Sequence, residues 1–111
     1  MILVFGSINA DLFVNVNNLP QPGETVLCPT YTFRPGGKGA NQAAIAARLG
    51  AEVKFIGAVG NDVFGKPVLA ALGKAGVGID DVKVVGETTG TAFVLVEESG
   101  ENQIVVASGA N

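Results

Sequence analysis

The feature that most constrains the fold of this chain is a glycine-rich segment, Gly36–Ala43, that leads into a run of alanines. The alanines recur at helical spacing and predict a helix over Ala40–Leu49, with Gly50 as its stop. Glycine permits a close approach of the backbone, and a helix start carries free N–H groups and partial positive charge. The side chains of Lys38 and Asn41 add donors beside it. The segment therefore predicts a loop that binds an oxygen-rich ligand at a helix N-terminus.

The composition predicts one globular domain with an aliphatic core. The chain has 111 residues, of which 48% are hydrophobic and 15% are charged, so it does not belong to the disordered class. A net charge of −3 and the lack of a basic block argue against nucleic-acid binding. Because the sequence contains no histidine, a histidine metal site is excluded, and any general base would be a carboxylate, Lys, Cys or Tyr.

Cysteine usage and hydropathy indicate a cytoplasmic protein. The single cysteine, Cys28, cannot form an internal disulfide, which fits a reducing compartment. We find no signal-peptide pattern, and no apolar run approaches the roughly 20 residues of a membrane span. We therefore expect a cytoplasmic protein with no membrane partner and no nucleic-acid partner.

Apolar runs alternate with helical patterns, which predicts an α/β fold. Ile2–Phe5 has the continuous apolar pattern of a central strand buried on both faces. Asn61 or Asp62 is a candidate cap for a second helix. The predicted strands are Ile2–Phe5, Leu12–Val16, Thr25–Phe33, Val53–Val59, Val82–Val85, Thr91–Val96 and Gln103–Ala107, and the second helix is Phe64–Ala75.

Three extended segments, at residues 12–16, 25–34 and 91–107, do not fit this alternation. The last of them is expected to form a hairpin, and Pro29 favours an edge strand or a break in the second. These segments predict a small second sheet, a flap or a lid within a single unit that spans residues 1–111.

The glycine-rich segment matches neither of the two common nucleotide-binding motifs. A P-loop needs Ser or Thr after its lysine, whereas Lys38 is followed by Gly39. The dinucleotide fingerprint ends in glycine, whereas Gln42 stands at that position. The alternative to a ligand loop is a turn with a helix start that binds nothing.

Polar side chains follow the first predicted strand, at the edge of an α/β sheet where ligands collect. Asn9 and Asp11 would point to the same side of an extended segment. A carboxylate accepts hydrogen bonds from two sugar hydroxyls, and an amide both donates and accepts. The alternative is an Asx-type turn that leaves the strand. The cluster Thr88–Thr91 fits either hydroxyl recognition or a plain turn before a strand.

Together these segments closely resemble the N-terminal part of the ribokinases, which belong to the PfkB-type carbohydrate kinases. The resemblance covers essentially the whole chain and implies a ribokinase-like three-layer α/β fold with a small β-lid. The Lys-Gly pair in the glycine-rich segment resembles ribokinases more than fructokinases or adenosine kinases. The matching segments are Gly6–Asp11, Pro22–Thr25, Gly36–Ala43, Gly57–Gly65, Thr89–Ala92, Gly100–Asn102 and Gly109–Asn111.

The resemblance implies transfer of the γ-phosphoryl group of ATP to the 5-hydroxyl of D-ribose, with Mg²⁺ and an activating monovalent cation such as K⁺. It implies that the β-lid covers the sugar and makes a homodimer contact. The implied sugar-binding residues are Asn9, Asp11, Gly36, Gly37, Lys38, Gly39, Asn41 and, in a lid strand, Ala92.

The family's catalytic aspartate has no counterpart in these residues. In the family it follows a Gly-Ala-Gly sequence that lies beyond the position of Asn111, as do the nucleotide-binding elements. Phosphoryl transfer depends on positioning and charge stabilisation, so we expect no kinase activity and no tight binding of ATP, Mg²⁺ or K⁺ from the 111 residues alone. The alternatives are a non-catalytic α/β module that binds a sugar or self-associates, and a kinase for fructose, a nucleoside or a deoxy sugar acid.

Overall fold

Seven strands in two sheets and two helices make up the structure, a computed structural model that describes residues Met1–Asn111. The α/β fold expected from the sequence is confirmed. The elements in chain order are β1 (Ile2–Phe5), β2 (Asn9–Val16), β3 (Thr32–Gly36), α1 (Lys38–Arg48), β4 (Val53–Gly60), α2 (Gly65–Lys74), β5 (Val82–Val85), β6 (Gly90–Glu97) and β7 (Asn102–Ala107).

The first sheet is parallel, with the strand order β1-β4-β5. Both helices pack on one of its faces, and the core lies between them and β4. Phe55 in β4 is fully buried, and removing such a side chain from water stabilises a fold by about 1.5–3 kcal/mol. The helix α1 contributes only small residues to this core, with Gly39, Ala40 and Ala43 buried. These small residues allow the helix to pack closely against the sheet.

The first strand is less buried than its sequence predicts. Ile2, Leu3 and Phe5 are 45%, 58% and 84% exposed, and only Val4 packs against the core. Burial of this strand on both faces was therefore a wrong prediction. Its outer edge has no neighbouring strand, because β1 pairs only with β4. The exposure of Leu3 and Phe5 shows that one of its faces is uncovered as well. An apolar run shows that a strand is suited to burial, but the cover must come from other elements.

The second sheet has the order β3-β2-β6-β7, with β2 and β6 parallel and the outer pairs antiparallel. It contains the segment at residues 12–16, most of the segment at 91–107 and only the end of the segment at 25–34. The predicted strand Thr25–Phe33 is corrected, because pairing begins at Thr32 and continues to Gly36. Pro29 lacks an N–H group for a ladder, which is consistent with pairing that begins only after it. The strand β2 begins at Asn9, three residues before the predicted start.

The helices lie close to their predicted positions. Gly37 precedes α1 with φ of 96°, so α1 begins at Lys38, two residues earlier than expected. Gly50 and Gly76 follow the two helix ends with φ of 98° and 96°, the left-handed conformation that glycine adopts at helix C-termini. Neither helix has the length and apolar character needed to cross a lipid bilayer.

Candidate functional site

Asn9 and Asp11 occupy alternate positions at the start of β2, so their side chains lie on one face of the second sheet. The strand β2 lies between β3 and β6, which places Gly36 opposite Asn9 and Ala92 opposite Asp11. Asn9 and Asp11 therefore lie on the same side of an extended segment, as the sequence predicts. The turn proposed as the alternative is absent, because both residues take part in strand pairing.

The carboxylate of Asp11 lies against the backbone of Gly36. A Cβ atom at position 36 would stand 2.5 Å from the Asp11 Cγ atom, so only glycine leaves this space free. The packing removes water from Asp11, and this burial raises the pKa of its carboxyl. Arg34, its cross-strand neighbour, lies instead over the ring of Phe13 at 5.0 Å. The result is a partly desolvated carboxylate without a cationic partner, as is common in ligand sites.

Two glycines let the start of α1 pack against the β1–β2 connection, which leads into the strand that carries Asp11. At Gly37 a Cβ atom would lie 2.5 Å from the Ser7 carbonyl oxygen, and at Gly39 it would lie 2.9 Å from the Gly6 Cα atom. The N–H of Ala40 donates to the Ser7 carbonyl at 3.0 Å. The positive end of the α1 dipole therefore lies beside the strand that carries Asp11.

Lys38 and Asn41 lie in the first turn of α1, and both side chains are exposed. The backbone N–H of Asn41 donates to the Gly37 carbonyl at 2.9 Å. Its side-chain amide is exposed and is therefore available to a ligand. The structure thus brings Asn9, Asp11 and the glycines together directly, whereas Lys38 and Asn41 approach them only through the position of the helix start.

A cavity of about 380 Å³ lies between α1 and α2. It shares Gly36 and Asn41 with the polar face, but neither Asn9 nor Asp11 lines it. Most of its walls are apolar, with Val68 and Leu72 among them. We therefore place the candidate site on the polar face of β2 and not in this cavity.

The cluster Thr88–Thr91 has a role that the sequence did not reveal. The Thr89 hydroxyl is fully buried, donates to Asp62 Oδ1 at 2.7 Å and accepts from the Gly60 N–H at 2.9 Å. Thr91 in turn donates its hydroxyl to the Thr89 carbonyl at 2.9 Å. These bonds join the start of β6 to the β4–α2 connection, so the hydroxyls of Thr89 and Thr91 are engaged within the chain, whereas Thr88 is exposed.

Asp62 is the centre of this network. Its carboxylate accepts hydrogen bonds from the Thr89 hydroxyl and N–H and from the N–H groups of Phe64 and Gly65. These bonds, the one from the Thr89 hydroxyl above all, lower the pKa of Asp62. Neither Asn61 nor Asp62 is the N-cap residue of α2, because Phe64 holds that position. The Asp62 side chain nevertheless accepts a hydrogen bond from the N–H of Gly65, the first residue of the helix. Its contact with Thr89 was missed, because the two residues are 27 positions apart and no local pattern connects them.

Known proteins resemble this chain in sequence and in fold. A family described as pfkB family carbohydrate kinase matches residues 1–111. The ribokinases of Haemophilus influenzae and Bacillus subtilis are each 48% identical over 111 residues, which is 99% of this chain and 36% and 38% of theirs. A solved structure of Arabidopsis thaliana ribokinase complexed with ribose and ATP has a TM-score of 0.92 at 43% identity, covering 99% of this chain and 36% of that one. The chain thus spans about a third of the length of these relatives.

Proposed function

The chain belongs to the pfkB family of carbohydrate kinases, and on that premise we propose that it forms the sugar-binding, acceptor side of an ATP-dependent ribokinase. The reaction proposed for the whole enzyme is phosphorylation of D-ribose to ribose 5-phosphate. The relatives named as ribokinases, and the one whose structure contains ribose and ATP, support ribose as the first candidate sugar.

The observation that carries this proposal is the Asp11 carboxylate, partly desolvated and without a cationic partner, on the same face of β2 as Asn9. Two sugar hydroxyls would supply the hydrogen-bond donors that Asp11 lacks. The exchange of water for sugar hydroxyls would then offset the cost of burying this charge.

The surrounding residues fit a small polyhydroxyl ligand. Gly36 and Gly37 let the backbone approach the sugar closely, and Ala92 leaves room beside Asp11 because its side chain is a single methyl group. We assign Lys38 and Asn41 the role of further donors at the helix start, with the adjacent Gly39 allowing that helix start to pack closely. The second sheet is proposed as a lid that excludes water from the sugar.

The same sheet is proposed to form the contact of a homodimer. Leu12, Phe93 and Val105 stand opposite one another across three strands, on the face away from Asp11. Phe93 and Val105 are exposed. A row of exposed apolar side chains in a sheet is suited to pairing with the same row of a second copy.

The nucleotide and the metal ions are not assigned to residues of this chain. No three carboxylate or thiol groups converge in this chain where they could hold a metal ion by protein ligands alone. In the whole enzyme ATP supplies the phosphoryl group, and we assign neither the base for the attacking hydroxyl nor the K⁺ site to these residues. The roles proposed here are to bind, orient and shield the sugar.

Calorimetric titration of D-ribose into the 111-residue chain tests the site directly. We expect weak, millimolar binding that is lost in Asp11→Ala. Glu98→Ala serves as a matched control, because it removes an exposed carboxylate from the β6–β7 turn. Undiminished ribose binding by Asp11→Ala would contradict the assignment of Asp11.

A chimaeric enzyme tests the activity. The matching segment of Haemophilus influenzae ribokinase, 48% identical to this chain, is replaced by residues 1–111. We expect ATP-dependent phosphorylation of ribose that is abolished by Asp11→Ala. Fructose, a nucleoside and a deoxy sugar acid are assayed in parallel, and a folded chimaera that prefers one of them to ribose would refute ribose as the substrate.

A further inference from the structure

The side chain of Asn111 reaches the candidate site from the turn after β7. Its Oδ1 atom accepts a hydrogen bond from the Ile8 N–H at 2.9 Å, and its Nδ2 atom donates to Asn9 Oδ1 at 2.7 Å. These contacts span 103 and 102 positions of the sequence. Asn111 therefore connects the end of the described chain to the first residue of β2.

The donor and the acceptor of each bond determine which way each amide is turned. A backbone N–H can only donate, so Asn111 must present its oxygen to Ile8. Its nitrogen then faces Asn9, and only the Asn9 oxygen can accept from it. The Asn9 nitrogen consequently points away from Asn111, and no protein acceptor engages it. Asn9 thus has two N–H donors free on the face that it shares with Asp11.

Two features keep Asn111 in this place. The N–H of Ala110 donates to the Thr88 carbonyl at 2.7 Å, which anchors the turn beside the Asp62–Thr89 network. At Gly90 a Cβ atom would lie 2.5 Å from Asn9 Oδ1 and would overlap the Asn111 amide. The missing side chain of Gly90 therefore leaves the space that the pair of amides occupies.

We propose that Asn111 is a positioning residue that orients the Asn9 amide, so that Asn9 offers donors to the sugar while Asp11 offers acceptors. This rests on the proposed function, because it takes the face of Asn9 and Asp11 to be the sugar site. The consequence is a site with fixed polarity: the sugar oxygen beside Asn9 accepts a hydrogen bond, and the hydroxyls beside Asp11 donate. Asn111 itself does not touch the sugar.

The orientation is tested first without ligand, by nuclear magnetic resonance of the 111-residue chain. We expect a scalar coupling across the hydrogen bond from the Ile8 nitrogen to the Asn111 side-chain carbonyl carbon. We also expect no nuclear Overhauser effects between the Asn9 side-chain N–H protons and the Asn111 Cβ protons. Such effects would show that the Asn9 nitrogen faces Asn111. In Asn111→Asp the Asn9 amide should turn over, because the new carboxylate can only accept. Asn9 nitrogen facing Asn111 in the unsubstituted chain would overturn the proposal.

Ribose titration of a double-mutant cycle tests the consequence for binding. We expect Asn111→Ala to weaken binding about tenfold, the effect of misdirecting one hydrogen bond. The same substitution in an Asn9→Ala background should change ribose affinity by less than about twofold, because the group that it orients is gone. A merely structural role would weaken binding equally in both backgrounds and would refute the proposal.

Asn102→Asp is the matched control for Asn111→Asp, because Asn102 is exposed in β7 and its side chain forms no hydrogen bond with the site. It should leave both the Asn9 resonances and the affinity for ribose unchanged. If the unsubstituted chain and the chimaera bind no ribose, the proposed function fails, whereas the orientation of Asn9 is still decided by the ligand-free spectra.

Discussion

The Asp11 carboxylate occupies the space that a side chain at Gly36 would fill. Gly36 is not among the glycines with positive φ, so its backbone conformation does not require glycine. Glycine is required at this position because the Asp11 carboxylate needs the space. The strands β2 and β3 are so close here that the carboxylate on β2 lies over the Gly36 backbone of β3. The glycine thus serves the polar site and not the turn.

Gly36→Ala is therefore expected to weaken ribose binding at least about tenfold by displacing Asp11, while lowering the free energy of unfolding by only about 1–3 kcal/mol through overpacking. Titration calorimetry and urea denaturation measure the two effects. Gly86→Ala is the control, because its Cβ atom would meet no neighbour and its φ is not positive. Equal ribose affinity in both variants would contradict the proposed role of Asp11.

Thr89→Val removes the hydroxyl that joins β6 to Asp62 and to the Gly60 N–H while keeping the shape of the side chain. The buried donor of Gly60 loses its partner, so we expect a loss of about 1–3 kcal/mol in the free energy of unfolding. Thr88→Val, at an exposed neighbouring position, should stay within about 0.5 kcal/mol of the unsubstituted chain. Similar stabilities for the two variants would show that the network does not hold the sheets together.

The two carboxylates should respond to pH in opposite directions. The pKa of Asp62 is lowered in the folded state, so its stabilising contribution is present above the unfolded pKa and is lost as the pH falls through the folded value. Asp62→Asn should therefore be less stable than the unsubstituted chain at neutral pH, and the difference should shrink below about pH 4. Urea denaturation across this range measures it, and a difference that does not change with pH would contradict the prediction.

For Asp11 the sign is reversed, because burial raises the pKa of this carboxyl in the folded state. Its charge destabilises the fold at neutral pH, and the cost disappears as the pH falls through the raised pKa towards the unfolded value. Asp11→Asn should therefore be more stable than the unsubstituted chain at neutral pH and should lose this advantage in acid. The same variant should lose ribose binding. The Asp11 charge would then lower the stability of the fold while it supports binding of the sugar.

Self-association through the second sheet is tested with Val105→Lys, which places a charge in the exposed apolar row on the face away from Asp11. Analytical ultracentrifugation should show a dimer for the unsubstituted chain and a monomer for the variant. Val63→Lys is the control, because Val63 is 77% exposed and lies outside both sheets. A strictly monomeric unsubstituted chain at high concentration would refute the dimer.

Local patterns predicted the parts of the site that depend on neighbouring residues. The twofold period of an extended strand places Asn9 and Asp11 on one face, and the run of glycines and alanines marks the start of α1. The same patterns could not show that Ile2–Phe5 is left exposed on one face, because burial depends on which other elements are present. They also placed the strand at Thr25–Phe33, whereas pairing begins at Thr32.

The sequence by itself determined the alternation of strands and helices and the glycine-rich helix start, because these follow from residue type and short spacing. It also carried the resemblance to the family, because the matching segments are read from the residues alone. The tertiary structure alone decided how the Asp11 carboxylate meets Gly36, how Thr89 satisfies Asp62 and how Asn111 turns the Asn9 amide. The physical reason is that each of these contacts joins residues distant in sequence, and its geometry follows from packing and from the requirement that polar groups find partners.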